Sequence, residues 1–381
     1  MTKPRIAFVY DRVNTPYGGA EQVLLALHQL YPHAPLFTAV YQPQQANWAR
    51  VFPQVIPSWL NKIPFFNQLH RWIPFLMPLA FESFDFGDYD IIISVTSAEA
   101  KGIITKPNQL HLCYLLTPPR YLYQDREHSL NSHKIFKLAP IKWLAEQLLN
   151  YLTWWDQVAI LRPDIIIPIS ERVAQRVRKY YPTVKPAKVI YPPVDNSPKD
   201  IDPDFVIPKK FFLINSRLVS YKHLDQAIIA WKNLQEKLVI VGSGPEEKKL
   251  KNLVTTLNLT DEVLFYKNLH QSQLNQLYQH CQALIMPGEE DFGIVALEAN
   301  SFAKPVLINS KSGAAECIDH TLHGVHITRE KAEDILKALE KFKKLTFDKT
   351  RLLKNVTKYD TNTFTKNFAQ VITTVWQKHR K

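Results

Sequence analysis

The sequence predicts two doubly wound α/β domains in tandem, and three observations carry that prediction. Short apolar runs rich in β-formers alternate with segments of helical period along the chain. Several of those runs are apolar at nearly every position, as strands covered on both faces require. One stretch, 192–210, is rich in Pro and Asp, carries neither period and reads as an interdomain linker. A length of 381 residues suits two domains of ordinary size.

In the first half the strand-like runs are RIAFVY (5–10), PLFTAVY (35–41), YDIIISVT (89–96), LHLCYLL (110–116), DIIIPIS (164–170) and KVIYPPV (188–194). GAEQVLLALHQLY (19–31) is helical, with Val23, Leu24, Leu27 and Leu30 on one stripe. SERVAQRVRKYY (170–181) starts on a Ser N-cap. In the second half KFFLINS (210–216), KLVIVGS (237–243), EVLFYK (262–267), ALIMP (283–287) and KPVLINS (304–310) read as strands. KHLDQAIIAWKNL (222–234) and QSQLNQLYQHC (271–281) read as helices between them. The last segment, 361–381, is helical by Phe364, Phe368, Val371, Ile372 and Val375. Open sheets of this kind bind ligands beyond the carboxyl ends of their strands. Two such domains facing each other predict a site in the cleft between them.

Composition narrows the class. With 46% hydrophobic and 22% charged residues the chain is ordinary globular protein. Cys113, Cys281 and Cys317 are too few and too scattered for a disulfide framework or a zinc site, so reduced thiols and a cytoplasmic location are expected. Residues 1–5 lead straight into a strand-like run, so no signal peptide is expected. The longest strongly apolar stretch, WIPFLMPLAF (72–81), is about half the ~20 residues that span a bilayer, and Pro74 and Pro78 interrupt it. A net charge of +12 suits an anionic partner, or simply a basic solvated surface. Nucleic acid is not the expected partner, because the basic residues are dispersed and no recognition motif accompanies them.

The chemistry concentrates in EEDFGIVALEA (289–299). Glu290 and Glu298 enclose seven residues, with Phe292 and Gly293 just after the first acid. ALIMP as a strand and IVALEANSFA as a helix put Glu290 at the strand's carboxyl end and Glu298 about one turn into the helix. The amides of Phe292, Gly293 and Ile294 then form the helix start, which attracts anions and hydroxyl oxygens. The same residues also fit a plain helix start with acids near its positive end. Arg217 and Lys222 bracket the next helix start, and two fixed cations there suit a diphosphate. Gly242 and Gly244 follow a strand before Pro245, as in a phosphate loop or any tight βα turn. Gly18 and Gly19 separate the first strand from the first helix. No His/Asp cluster has the spacing of metal ligands.

These pieces, in this order, resemble the family-four retaining glycosyltransferases of GT-B architecture, built from two Rossmann-like domains. GGAE near the start, SRLVSYKHLDQAI, VGSGPEEKKL and EEDFGIVALEA carry the resemblance. It implies an acceptor-side domain over 1–198, a nucleotide-sugar domain over 199–360, and a last helix, 361–381, packing back on the first. It implies a hexosyl group leaving a nucleoside diphosphate for a glycan or lipid-linked acceptor, without a metal cofactor. Arg217 and Lys222 would hold the donor's diphosphate and Glu298 its ribose. Glu290 and the amides of Phe292 to Ile294 would hold the sugar, with Gly18 and Gly19 approaching the diphosphate or the acceptor. EDFGI together with YPPVD (191–195) resembles the mannosyltransferase branch that uses GDP-mannose.

One departure stands out. In YLLTPPRY (114–121), Leu116 occupies the place where relatives often carry a histidine. That departure keeps a second reading open, a nucleotide-sugar-binding protein with little turnover; a sugar-nucleotide epimerase is a further one. Arg120 in the same segment meets an acceptor phosphate or forms a surface salt bridge. The segment 57–82 mixes aromatics with Lys62, His70 and Arg71, and reads as peripheral contact with the inner face of a membrane or as packing over the first domain.

Overall fold

The computed structural model describes residues 4–63, 74–131, 139–197 and 199–380. The chain falls into two compact units, Met1–Pro192 with Phe364–Lys381, and Pro193–Thr363. Each is built on a six-stranded parallel sheet.

The first sheet comprises β1 (Ile6–Tyr10), β2 (Leu36–Thr38), β3 (Val55–Pro57), β4 (Ile91–Thr96), β5 (Leu110–Leu115) and β6 (Ile165–Pro168), in the order β3-β2-β1-β4-β5-β6. Every residue of β1, β4 and β5 is buried, which is why those runs carry almost no polar side chains. Helices Gly19–Leu30 and Glu171–Tyr180 follow β1 and β6. The Ser170 side chain accepts from the Val173 N–H and caps the second of these.

The second sheet comprises β7 (Phe211–Asn215), β8 (Lys237–Val241), β9 (Val263–Tyr266), β10 (Leu284–Met286), β11 (Val306–Asn309) and β12 (Gly324–Ile327), in the order β12-β11-β10-β7-β8-β9. Counted within its own unit, this is the order of the first sheet. Both have the Rossmann strand order, which reverses direction beside the first strand of each sheet. The fold is GT-B, with two Rossmann-like units.

Four features differ from the sequence pattern. KVIYPPV is not a strand: Ala187 and Ile190 donate to the Ile166 and Pro168 carbonyls, and Pro192 and Pro193 then have no N–H to continue the ladder. The first sheet's sixth strand is the short edge strand β3 instead. The second sheet gains β12, which pairs with β11 over four residues. The stretch 222–234 is a seven-residue helix, Leu224–Ala230, between 3-10 turns at Ser220–Lys222 and Trp231–Asn233, because His223 takes a left-handed backbone at φ 51°.

All of the expected linker after Pro192 lies inside the second unit: Val194 bridges Asp360 and donates its N–H to the Tyr359 carbonyl. The last helix, Thr361–His379, places Phe364 and Phe368 edge-on to Tyr114 of β5, each with ring centroids 5.8 Å apart. Of the segment 57–82, residues 64–73, with His70 and Arg71, lie outside the described residues. Its described parts bury Leu60, Met77 and Phe81 in the first unit's core. No helix among the described residues is long and apolar enough to cross a membrane.

Candidate functional site

In the second unit the strand order turns between β7 and β10, which pair at Leu213 and Leu284. Ligands of open α/β sheets bind at such a point. β7 runs into Ser216–Lys222 and β10 into Pro287–Glu290. The two turns touch at Gly288, where a Cβ would lie 2.5 Å from the Tyr221 carbonyl oxygen and 2.6 Å from Lys222 Cα. Only glycine permits that approach. It brings Lys222 Nζ onto Glu290 Oε1 as an ion pair, with side chains 10% and 17% exposed. Lys222 Nζ also lies 5.1 Å from the centre of the Tyr221 ring. Arg217 is exposed and donates from Nη2 to the Tyr221 hydroxyl at 3.3 Å. Tyr221 therefore touches both cations. Asn215, Ser216, Lys222, Gly288 and Glu290 line one small crevice at these strand ends.

The Glu290 turn is fixed from behind by the turn that follows β11. The Glu290 N–H donates to Ser312 Oγ at 3.1 Å, and Ser312 Oγ donates to the Gly288 carbonyl at 3.1 Å. Gly313 donates to the Glu290 carbonyl at 3.0 Å, and Asn309 Nδ2 to the Pro287 carbonyl at 2.9 Å. Phe292 is buried, and its carbonyl accepts from Ala314. Gly293 sits at φ +91°, and a Cβ there would meet Met286 Cε at 2.5 Å. Ile294 precedes the helix Val295–Ser301, and its carbonyl accepts from Leu297 and Glu298.

Glu298 belongs to a neighbouring cluster. Its Oε2 accepts from the Tyr278 hydroxyl at 3.1 Å, and that hydroxyl accepts from Asn215 Nδ2 at 3.0 Å. Burial raises the Glu298 carboxyl above its ordinary range, against the Tyr278 hydrogen bond and the charge of Lys199. Asn215, the last residue of β7, joins this cluster to the crevice that Lys222 and Glu290 line. Gly242, at φ +142°, packs under the turn after β7, since a Cβ would fall 2.0 Å from the Ser216 carbonyl oxygen. It supports the Arg217 turn by close packing.

The remaining predicted residues lie in the first unit. Gly18 is the N-cap of Gly19–Leu30, and its carbonyl accepts from Gln22 at 3.0 Å. Arg120 Nε donates to Asp125 Oδ2 at 3.0 Å. Leu116 directly follows β5 and donates its N–H to the Thr96 carbonyl at 2.8 Å. At this unit's own switch point, between β1 and β4, Asp11 and Glu99 are buried. Asp11 accepts from Thr96, Ser97 and Ala100, and Glu99 from Arg12 and Tyr121.

Sequence reasoning passed over Tyr221, Ser312, Asn309, Asn215 and Tyr278. The usable signal was position: Asn215, Asn309 and Ser312 are polar residues at or just past the ends of apolar strands, where side chains face the ligand edge of the sheet.

Residues 199–360 match the family described as glycosyl transferases group 1. An uncharacterised glycosyltransferase of Methanocaldococcus jannaschii is 32% identical over 132 residues, 33% of this chain and 34% of that one. The human alpha-1,3/1,6-mannosyltransferase ALG2 is 26% identical over 212 residues, 49% of each chain. The alignments thus span between about a third and a half of the length of these curated relatives. Anabaena HepE, solved in complex with UDP, superposes on 97% of this chain and 100% of its own with a TM-score of 0.67 at 18% identity, a likeness of fold.

Proposed function

We propose that this chain is a retaining, metal-independent glycosyltransferase that moves a hexosyl group from a nucleoside-diphosphate sugar, GDP-mannose favoured, to a glycan or lipid-linked acceptor. The observation that carries the reading is the Lys222–Glu290 pair, with Arg217 beside it, at the β7/β10 switch point. Arg217 and Lys222 balance the charge that grows on the departing diphosphate. Glu290 accepts from sugar hydroxyls, and the Phe292–Ile294 amides face the same ligand. Glu298, held by Tyr278, takes the ribose. Gly18 and Gly19 leave backbone room for the diphosphate or the acceptor. The group 1 match over 199–360 and the human mannosyltransferase relative support the class and the favoured sugar. Contact with the inner face of a membrane through 57–82 suits a lipid-linked acceptor in the cytoplasm.

Leu116 favours a second reading, a nucleotide-sugar binder with little turnover. A thermal-shift screen of nucleotide sugars followed by transfer and donor-hydrolysis assays tests both. The transferase reading expects a raised melting temperature with its donor, by mass action, together with product. Stabilisation without turnover supports the second reading, and no stabilisation by any nucleotide sugar overturns both.

A further inference from the structure

Tyr278 grips the helix that carries Glu298 at two points. It lies on the helix Gln271–His280 and is buried, at 1% exposure. Its hydroxyl donates to Glu298 Oε2 at 3.1 Å. Its ring stacks on Phe302, with centroids 5.3 Å apart and planes within 7°. Phe302 stands one turn beyond Glu298, at the end of the helix Val295–Ser301. Ring and hydroxyl together fix the carboxylate against that helix. The Tyr278 hydroxyl in turn accepts from Asn215 Nδ2 at 3.0 Å. Asn215 ends β7 and lines the crevice of Lys222 and Glu290.

A carboxylate has several lone pairs to fill. Among the described residues Tyr278 is the one donor to the Glu298 carboxylate, and Oε1 receives none. Buried polar groups are otherwise paired, so a half-buried acid with an open oxygen is arranged for a ligand's donors. The hydroxyl also favours the charged form of that acid. Burial first, then the Glu298 charge, hold the Tyr278 hydroxyl protonated far above its ordinary range, so it donates at every working pH. Burial raises Glu298, and the Tyr278 bond is the largest influence that lowers it. The charge of Lys199 lowers it as well, and that of Asp195 raises it. We propose that Tyr278 is the positioning residue of the nucleotide subsite: it holds the Glu298 carboxylate with one oxygen open to the hydroxyls of a ribose, and Asn215 fastens that pair to the crevice at the strand ends. The assignment to a ribose rests on the transferase reading.

The test is calorimetric titration of the full chain with GDP and with UDP, and then with the dideoxy form of the tighter binder, which lacks both ribose hydroxyls. Tyr278→Phe keeps the ring for Phe302 and removes the hydroxyl alone. It is expected to weaken the nucleotide about tenfold, the worth of one hydrogen bond to a charged group, and to leave the dideoxy form within about twofold. The acid limb of nucleotide binding should also move to higher pH, because Glu298 without its donor takes up a proton earlier. Asn215→Ala keeps the test valid if Tyr278→Phe fails to fold, with a loss of about threefold that again exceeds the loss for the dideoxy form. Unchanged affinity, or an equal loss for both forms with the acid limb unmoved, overturns the proposal. The donor reading survives that result as long as Glu298→Gln weakens the nucleotide. If neither nucleotide binds wild type, or Glu298→Gln costs nothing, the donor reading itself fails and takes this proposal with it.

Discussion

Lys222 and Glu290 close an ion pair across the two turns that leave β7 and β10, and Gly288 is what lets those turns touch. Neither residue reaches the other through sequence proximity. The pairing depends on parallel strands that lie side by side although β8 and β9 intervene in the chain.

Glu290→Gln and Lys222→Ala should each lower transfer by about 10²- to 10³-fold, the usual loss when a preorganised electrostatic contact is removed. Initial rates on the true donor measure this, with circular dichroism to establish that the fold is kept. Full activity in either variant would mean that the site lies elsewhere.

Gly293→Ala and Gly242→Ala should destabilise by about 1–3 kcal/mol each, because both backbones sit at positive φ and both added methyls collide with neighbours. Urea midpoints read the effect. An unchanged midpoint in both would show that these turns adapt without strain.

His111 predicts a pH dependence. It is buried against Ser94 Oγ at 2.8 Å, and burial, then the charge of Arg162, lowers its pKa from an ordinary 6.5 to about 3. Between those values the unfolded chain holds a proton that the folded chain refuses. Stability from this group is therefore complete above pH 6.5 and declines towards pH 3, by about 1.4 kcal/mol per pH unit. His111→Gln should flatten that part of the curve in pH-resolved urea unfolding. Parallel curves for variant and wild type would count against it.

Phe368→Ala should cost about 3–5 kcal/mol, the range for emptying a buried aromatic site. Phe368 is fully buried and meets Tyr114 edge-on. Calorimetry or urea unfolding gives the value. A cost under about 1 kcal/mol would mean that the last helix contributes little to the first unit.

The parts of this molecule that were legible share one property. β1, β4, β5, β7 and β8 are covered on both faces, so burial alone wrote apolar runs into the sequence, and Arg217, Lys222 and Glu290 fall just beyond such runs. What escaped depended on partners far apart in the chain. Glu298 is held through Tyr278 and Asn215, 20 and 63 residues apart along the links. β12 is four residues with a Gly and a His, too short to show a period. KVIYPPV has the composition of a strand, but its prolines remove the donors a strand needs. A Ser cap on 170–181 announces a helix and says nothing about which way Arg176 faces.

The second unit is an insertion within the first: the chain enters it at Pro193 and leaves it after Thr363, with Val194 bridged to Asp360. A protease that severs the backbone once, at the entry, therefore does not set a half free. The downstream fragment still carries Phe364 and Phe368, seated beside Tyr114. Such a nicked protein would run as two bands under denaturing electrophoresis and elute as one peak in native size-exclusion chromatography.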